Sequence, residues 1–173
     1  MALYLVESVL GTLDRTLFQE KVRAIQSKAE GRGVRLIEVQ AAENYSRAFF
    51  ILEGGDRAEV TEILRGADVP ISLIKPVRLI GKDVGQVTQG ENVNYLVEWN
   101  IPEGLTMEQY LERKLKNSVH YSEVPEVTFS RTYVCEDMTK CLCFYQAPDE
   151  SAVKRARQAV STPIDSITKL SGN

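Results

Sequence analysis

The first residues able to do chemistry are Cys135, Cys141 and Cys143, the last two held in "KCLCFYQAPD" (140–149). Residues two apart on a strand point the same way, so Cys141 and Cys143 would share a face. A hairpin with a three-residue loop at 137–139 would also set Cys135 opposite Cys141 and cluster all three thiols. Zinc and soft metals need several thiolate or imidazole ligands in a preset geometry. Free cysteine, however, is among the most buried residue types and commonly only packs. Packing is therefore the expectation, with Cys143 facing the core or a pocket.

The carboxylates come next. "YLVE" occurs at 4–7 and again at 95–98, giving Glu7 and Glu98 equivalent places among apolar neighbours. A carboxylate buried there needs a partner. A third strand running parallel beside the first would end at Glu53 or Gln146, and the second strand would add Glu38 or Arg131. Glu7, Glu38 and Glu53 could then hold a hard or borderline cation. Glu98, Arg131 and Gln146 could form a polar cluster that orients a ligand. The plainer alternative puts all six near strand ends, in reach of water. Arg131, with Phe129 and Tyr133 expected on its own face, should be partly desolvated and reach Glu98 two strands away. Trp99, Tyr133, Phe144 and Tyr145 are either core aromatics or the lining of a pocket between sheets anchored by Glu98 and Arg131.

His120 is the one histidine in the chain. In "NSVHYSEV" it reads as a solvated or helix-capping residue. A single histidine without a spacing motif makes no nucleophilic triad. Phosphate-binding glycine patterns are absent from the sequence. Lys154, Arg155 and Arg157 read as one solvated turn of charge.

The elements that position these residues are written twice. Moved forward by 93 residues, Val34–Ile80 lies without a gap on Val127–Asn173, with Asp56 meeting Asp149 and Pro70-Ile71 meeting Pro163-Ile164. Such internal periodicity marks a repeat. Each copy starts with a strand (about 2–9 and 93–101) and a helix. The second copy's helix opens on Thr106 and Gln109 at capping-box spacing, with Leu105 and Tyr110 as a staple. Met107, Leu111, Leu115 and Val119 suggest its apolar stripe, and Leu13, Leu17, Val22, Ile25 and Ala29 that of the first copy. A hairpin follows, then a helix capped by Asp56 or Asp149, then a last strand.

The order β-α-β-β-α-β, twice, is the ferredoxin-like arrangement of an antiparallel sheet with two helices on one face. The predicted class is α+β, with repeats at 1–81 and 93–173 joined by a linker at 82–92. "LYLV", "AFFIL" and "CLCFY" are apolar at both parities, so both sheet faces should be buried. Sheet-toward-sheet packing as an internal pseudo-dimer is the simplest cover.

The second half also resembles a known family, through "YLVEWNIPEGLT", "FSRTYV", "CFYQAPD" and "PIDSITKL". It is similar to a small bacterial family of unknown function, some members of which are described as nickel-binding protein. The resemblance covers nearly all of 93–171 and is weaker over 2–80. It implies a ferredoxin-like fold, dimeric when single-copy, and points to Arg131, Tyr133, Cys143, Tyr145, Ala147, Pro148 and Asp149. In the first copy Glu38, Phe50 and Leu52 replace Arg131, Cys143 and Tyr145. The family's metal chemistry leans on histidines, of which this chain has only His120.

The chain has 173 residues, 43% hydrophobic and 26% charged, with a formal net charge of -3. This is a globular composition without the basic excess that nucleic-acid binding draws on. "MALYLVESVLG" has no basic n-region and no long apolar run, so neither export nor a membrane span is expected, and a cytoplasmic protein with reduced thiols is. The expected function is non-enzymatic binding of a small molecule or metal ion at Glu98, Arg131, Tyr133, Cys143 and Tyr145, with a homo-oligomer among the expected assemblies and ligand, metal and cofactor left open. The alternative is a cofactor-independent enzyme resembling α+β-barrel oxygenases and isomerases, with Glu98 or His120 moving protons. A third reading is an interaction subunit using a sheet edge. Fold alone does not choose among them.

Overall fold

The computed structural model describes residues 1–88 and 92–172; part of the expected linker, 89–91, and the last residue of the second repeat lie outside them. The described residues divide into two compact units, 1–77 with 84–88, and 78–83 with 92–172. Both are α+β with the βαββαβ order.

In the first unit the elements are β1 (Ala2–Val9), α1 (Arg15–Ala29), β2 (Arg35–Ala41), β3 (Arg47–Gly54), α2 (Arg57–Gly66) and β4 (Leu73–Ile80), whose last residues belong to the second unit. The strands lie in the order β2-β3-β1-β4, and α3 (Val84–Thr88) follows. In the second unit β5 (Tyr95–Asn100), α4 (Met107–Asn117), a 3-10 turn (Ser118–Glu123), β6 (Thr128–Cys135), β7 (Lys140–Gln146), α5 (Glu150–Ala159) and β8 (Ser166–Lys169) give the order β6-β7-β5-β8.

Backbone devices recur between the units. Asp56 and Asp149 both cap their helices by accepting from a first-turn N–H, at 2.8 Å in each case. Tyr45 and Met138 turn the two hairpins at φ 59° and 62°, and Asp68 and Ser161 end the second helices at φ 58° and 53°. Thr106 and Gln109 form the expected capping box. A β-bulge falls between Leu36 and Glu38 in one unit and between Phe129 and Arg131 in the other.

Tyr4, Val6, Phe50 and Leu52 form the first core with Phe18 and Ile25 of α1 and Val60, Ile63 and Leu64 of α2. Tyr95, Val97, Trp99, Cys141, Cys143 and Tyr145 form the second with Tyr110 of α4 and Val153 and Ala156 of α5. Residues of the other parity, such as Leu5, Ile51, Leu96 and Leu142, are also buried, so the strands are covered on both faces as their apolar runs imply.

Four local expectations are corrected. β3 runs antiparallel to β1, with Glu7 opposite Phe49 and Glu53 opposite Leu3. The helical crossover makes β1 and β2 parallel, and the β2–β3 hairpin then reverses the chain. Glu53 consequently lies four residues along from Glu7, roughly 13 Å at the strand rise. Gln146 similarly sits past Tyr145, whose partner is Tyr95, far from Glu98 opposite Leu142.

The β6–β7 register is also displaced. It pairs Val134, not Cys135, with Cys141. The loop has four residues because Asp137 accepts from both the N–H and the hydroxyl of Thr139, while Met138 takes the left-handed conformation. A one-residue slip moves every side chain to the other face, so Cys135 is parted from Cys141 and Cys143.

The bulge at Ser130 does the same to Arg131. Phe129 pairs with Tyr145 but Arg131 pairs with Phe144, so Phe129 and Arg131 lie on opposite faces.

The α4 stripe is rotated as well. Leu115 and Val119 are exposed. Steps of four residues drift about 40° each around a helix of 3.6 residues per turn. Starting at Met107, they walk off the buried side, which is centred on Tyr110 and Lys114.

Candidate functional site

β7 places Cys141, Cys143 and Tyr145 on the helix-facing side of the second sheet, under α4, the 3-10 turn and α5. A cleft opens there, lined among others by Trp99, Tyr110, Lys114, Tyr121, Cys141, Cys143 and Arg157, with about 20 Å³ of internal room. That holds one water-sized group.

Arg157 is the unexpected member. It was read from the sequence as solvated charge, yet only 2% of it is exposed, while Lys154 and Arg155 on the same helix do face solvent. Its position four residues after Val153 and three before Val160 puts it on the buried stripe of α5. Nη1 donates to the Cys143 sulfur at 3.4 Å and to the Tyr145 hydroxyl at 3.2 Å, and Nη2 donates to the Pro163 carbonyl at 2.6 Å. Nε is buried and has no partner. Burial works against its charge, but Cys143 and Tyr145 hold its pKa above the ordinary arginine value.

Cys143 receives a further hydrogen bond from the Thr132 hydroxyl at 3.2 Å. A hydrogen bond from Cys141, the cations Lys114 and Arg157 and the Thr132 hydroxyl together hold its thiol well below the usual range, against the opposing effect of burial. Cys141 moves the other way, raised by the same bond to Cys143 and by burial. The geometry thus sets two buried sulfurs on one strand face, one of them beside a guanidinium. Burial raises the phenols of Tyr110 and Tyr145 and pushes Tyr121 up to about 12. The Tyr121 and Tyr145 hydroxyls meet at 2.6 Å. Lys114 stands 4.4 Å over the Phe129 ring and Arg113 5.3 Å from that of Trp99.

The sheet divides the five site residues predicted from sequence. Cys143 lines the cleft, and Tyr145, on the same sheet face, bonds to its Tyr121 and Arg157. Glu98, Arg131 and Tyr133 lie on the opposite face, where Tyr133 and Phe144 pack edge to face at 6.0 Å. The Arg131 guanidinium stacks 5.4 Å over Phe144 and donates to Ser130 at 2.7 Å. Glu98 accepts from Lys140 at 2.7 Å, and Arg131 sits two residue positions further along than Glu98's row. His120 is outside the cleft, half-exposed and bonded to Glu123 at 2.5 Å.

In the first unit Glu7 pairs with Arg47 at 3.0 Å, Glu38 accepts from Gln40 at 2.8 Å, and Glu53 pairs with Arg35 at 3.1 Å. Among the described residues, no three His, Cys, Asp or Glu side chains are grouped to hold a metal ion. No helix among them is long and apolar enough to cross a membrane.

Sequence reasoning weighed Cys141 as a metal ligand but favoured packing, named Tyr110 only as a staple residue, and missed Lys114, Tyr121 and Arg157. The α5 stripe was the available signal for Arg157. For Lys114 and Tyr121 there was none, because the rotation of α4 and the end of its 3-10 turn are set by packing.

The residues that carry this cleft, Trp99 to Thr162, fall inside a single family match. Residues 95–170 match the family described as nickel responsive protein SCO4226-like. The resemblance read from the second half therefore holds, and it stops short of the first. No curated protein matches the chain.

Among solved structures, a putative chlorite dismutase is 12% identical, with 98% of this chain and 95% of that one covered at a TM-score of 0.57. A putative monooxygenase from Lactobacillus acidophilus is 8% identical over 99% and 95% of the two chains, TM-score 0.52. One from Fusobacterium nucleatum is 12% identical over 98% and 91%, TM-score 0.53. At such identities the likeness is one of fold, and it extends over both units.

Proposed function

We propose that this chain is a non-enzymatic binding protein for a small ligand or metal ion, and that its site is the cleft of the second unit. In this reading it is a tandem duplicate, with repeats at 1–81 and 93–173, in which only the second copy keeps the site. The first has Phe50 and Leu64 where the second has Cys143 and Arg157, and Val60 and Ile63 join them in filling its helix side.

The observation that carries the reading is the convergence of Cys141, Cys143 and Arg157 at the cleft floor, with the Arg157 Nε unpartnered. Buried polar groups are ordinarily satisfied, and an exception calls for an explanation. A few convergent polar groups in an apolar, aromatic cleft are the usual form of a binding site. The nickel responsive family match over the same residues supports a metal ion among the candidates. The enzyme alternative has less behind it, since Glu98 and His120, its proton-transfer candidates, lie away from the cleft.

Native mass spectrometry of the purified chain tests the reading. A retained small molecule or ion should be lost in Cys143→Ser and Arg157→Met and kept in His120→Ala. Retention unaffected by the two cleft substitutions would overturn it.

A further inference from the structure

Cys141 and Cys143 are neighbours on one face of β7, about 7 Å apart at their Cα atoms by strand geometry, and both side chains are buried in the same core. Both line the cleft, whose room of about 20 Å³ suits a single ion. Two sulfurs on a rigid central strand form a preset pair of soft ligands. Metals that bind through two sulfurs alone are the soft, thiophilic ones, whereas zinc and nickel fill their coordination with four or more donors. No imidazole or carboxylate lines the cleft to supply them.

Charge makes the same selection. Two thiolates around a monovalent cation leave one net negative charge, which a buried site must neutralise. Arg157 is placed for that, 3.4 Å from the Cys143 sulfur, with a free N–H on Nε. A divalent ion would neutralise both thiolates itself and leave the guanidinium uncompensated in the interior.

We propose that Cys141 and Cys143 together bind one soft monovalent cation of the Cu(I) or Ag(I) type, with Arg157 balancing the charge of the resulting bis-thiolate. The cation takes the place of the thiol protons. Two metal–sulfur bonds form, the two S–H bonds break, both protons leave to solvent, and no oxidation state changes. This rests on the cleft being the binding site and names the ligand class it takes.

The test is an anaerobic competition in which the reduced full-length chain withdraws Cu(I) from a coloured Cu(I) chelator. The wild type should take one ion per chain. Cys141→Ser and Cys143→Ser should each weaken uptake at least tenfold, and Cys135→Ser, a buried thiol on the other face, should not. Arg157→Met should weaken it while Arg157→Lys restores part. Zn(II) under matched competition should not be taken. Circular dichroism of each variant separates loss of binding from loss of fold, and Ag(I) in place of Cu(I) must give the same pattern. No uptake by the wild type, or uptake that persists in the Cys141→Ser/Cys143→Ser chain, overturns the proposal. If the wild type takes no Cu(I) yet retains another species in a Cys143-dependent way, the ligand class is wrong and the cleft remains the binding site. If neither is seen, both fall.

Discussion

The Arg157 guanidinium lies 3.4 Å from the Cys143 sulfur, and among the described residues no carboxylate pairs with it. The Cys143 thiol, held well below its ordinary range, is thus the acidic group that faces this buried cation. Breaking such a pair leaves one charge uncompensated in a low-dielectric interior, at a cost of roughly 3–5 kcal/mol. Arg157→Met should therefore destabilise the chain by about that amount in urea denaturation, and Arg157→Lys by less. A change within about 0.5 kcal/mol, as for a surface site, would mean that the pair contributes nothing.

The same pair gives stability a pH dependence. Cys143 is held below the ordinary thiol value, first by the Cys141 hydrogen bond and then by Lys114 and Arg157. Between its lowered value and the unfolded thiol's value of about 8.5, the unfolded chain binds the extra proton, so stability rises with pH by up to about 1.4 kcal/mol per unit. That contribution is lost as pH falls through the folded value. Above about 8.5 the sign reverses, because Cys141 keeps a proton that the unfolded chain releases. Urea midpoints measured across neutral pH should show the rise in the wild type and a flatter profile in Cys143→Ser. Identical slopes in the two chains would contradict it.

On the other sheet face, Lys140 and Glu98 are 2.7 Å apart with side chains only 14% and 7% exposed. Lys140 is partly solvated, so its loss should cost less than a fully buried partner, about 1–3 kcal/mol for Lys140→Met. A double-mutant cycle with Glu98→Gln should give a coupling of about 0.5–3 kcal/mol. Coupling near zero would show that the two side chains act independently.

Nickel titration by calorimetry should show no tight stoichiometric site. His120 is at the surface with Glu123, and no described trio of ligating side chains is grouped elsewhere. Submicromolar nickel affinity that survives His120→Ala would refute this and would show that thiolates or carboxylates supply more ligands than the geometry allows.

Local chemistry made much of this protein readable from its sequence. Caps, turns and the alternation of apolar residues are short-range, so Asp56, Asp149 and the Thr106–Gln109 box announced their helices, and the 93-residue correspondence announced the βαββαβ order of both halves. Burial on both strand faces was likewise legible in "AFFIL" and "CLCFY". What shares a site with what was not. A bulge at Ser130 and a four-residue loop after Cys135 each add a residue that composition does not mark, and because strand side chains alternate, each addition moves its neighbours to the opposite face. Arg131 was thereby parted from Phe129, and Cys135 from Cys141. The orientation of α4, and with it Lys114 and Tyr121 over the sulfurs, is a packing result. Sequence put Cys141 and Cys143 side by side; only the tertiary structure brought Arg157 to them, because a helix residue meets a strand residue through the closure of the fold rather than through spacing along the chain.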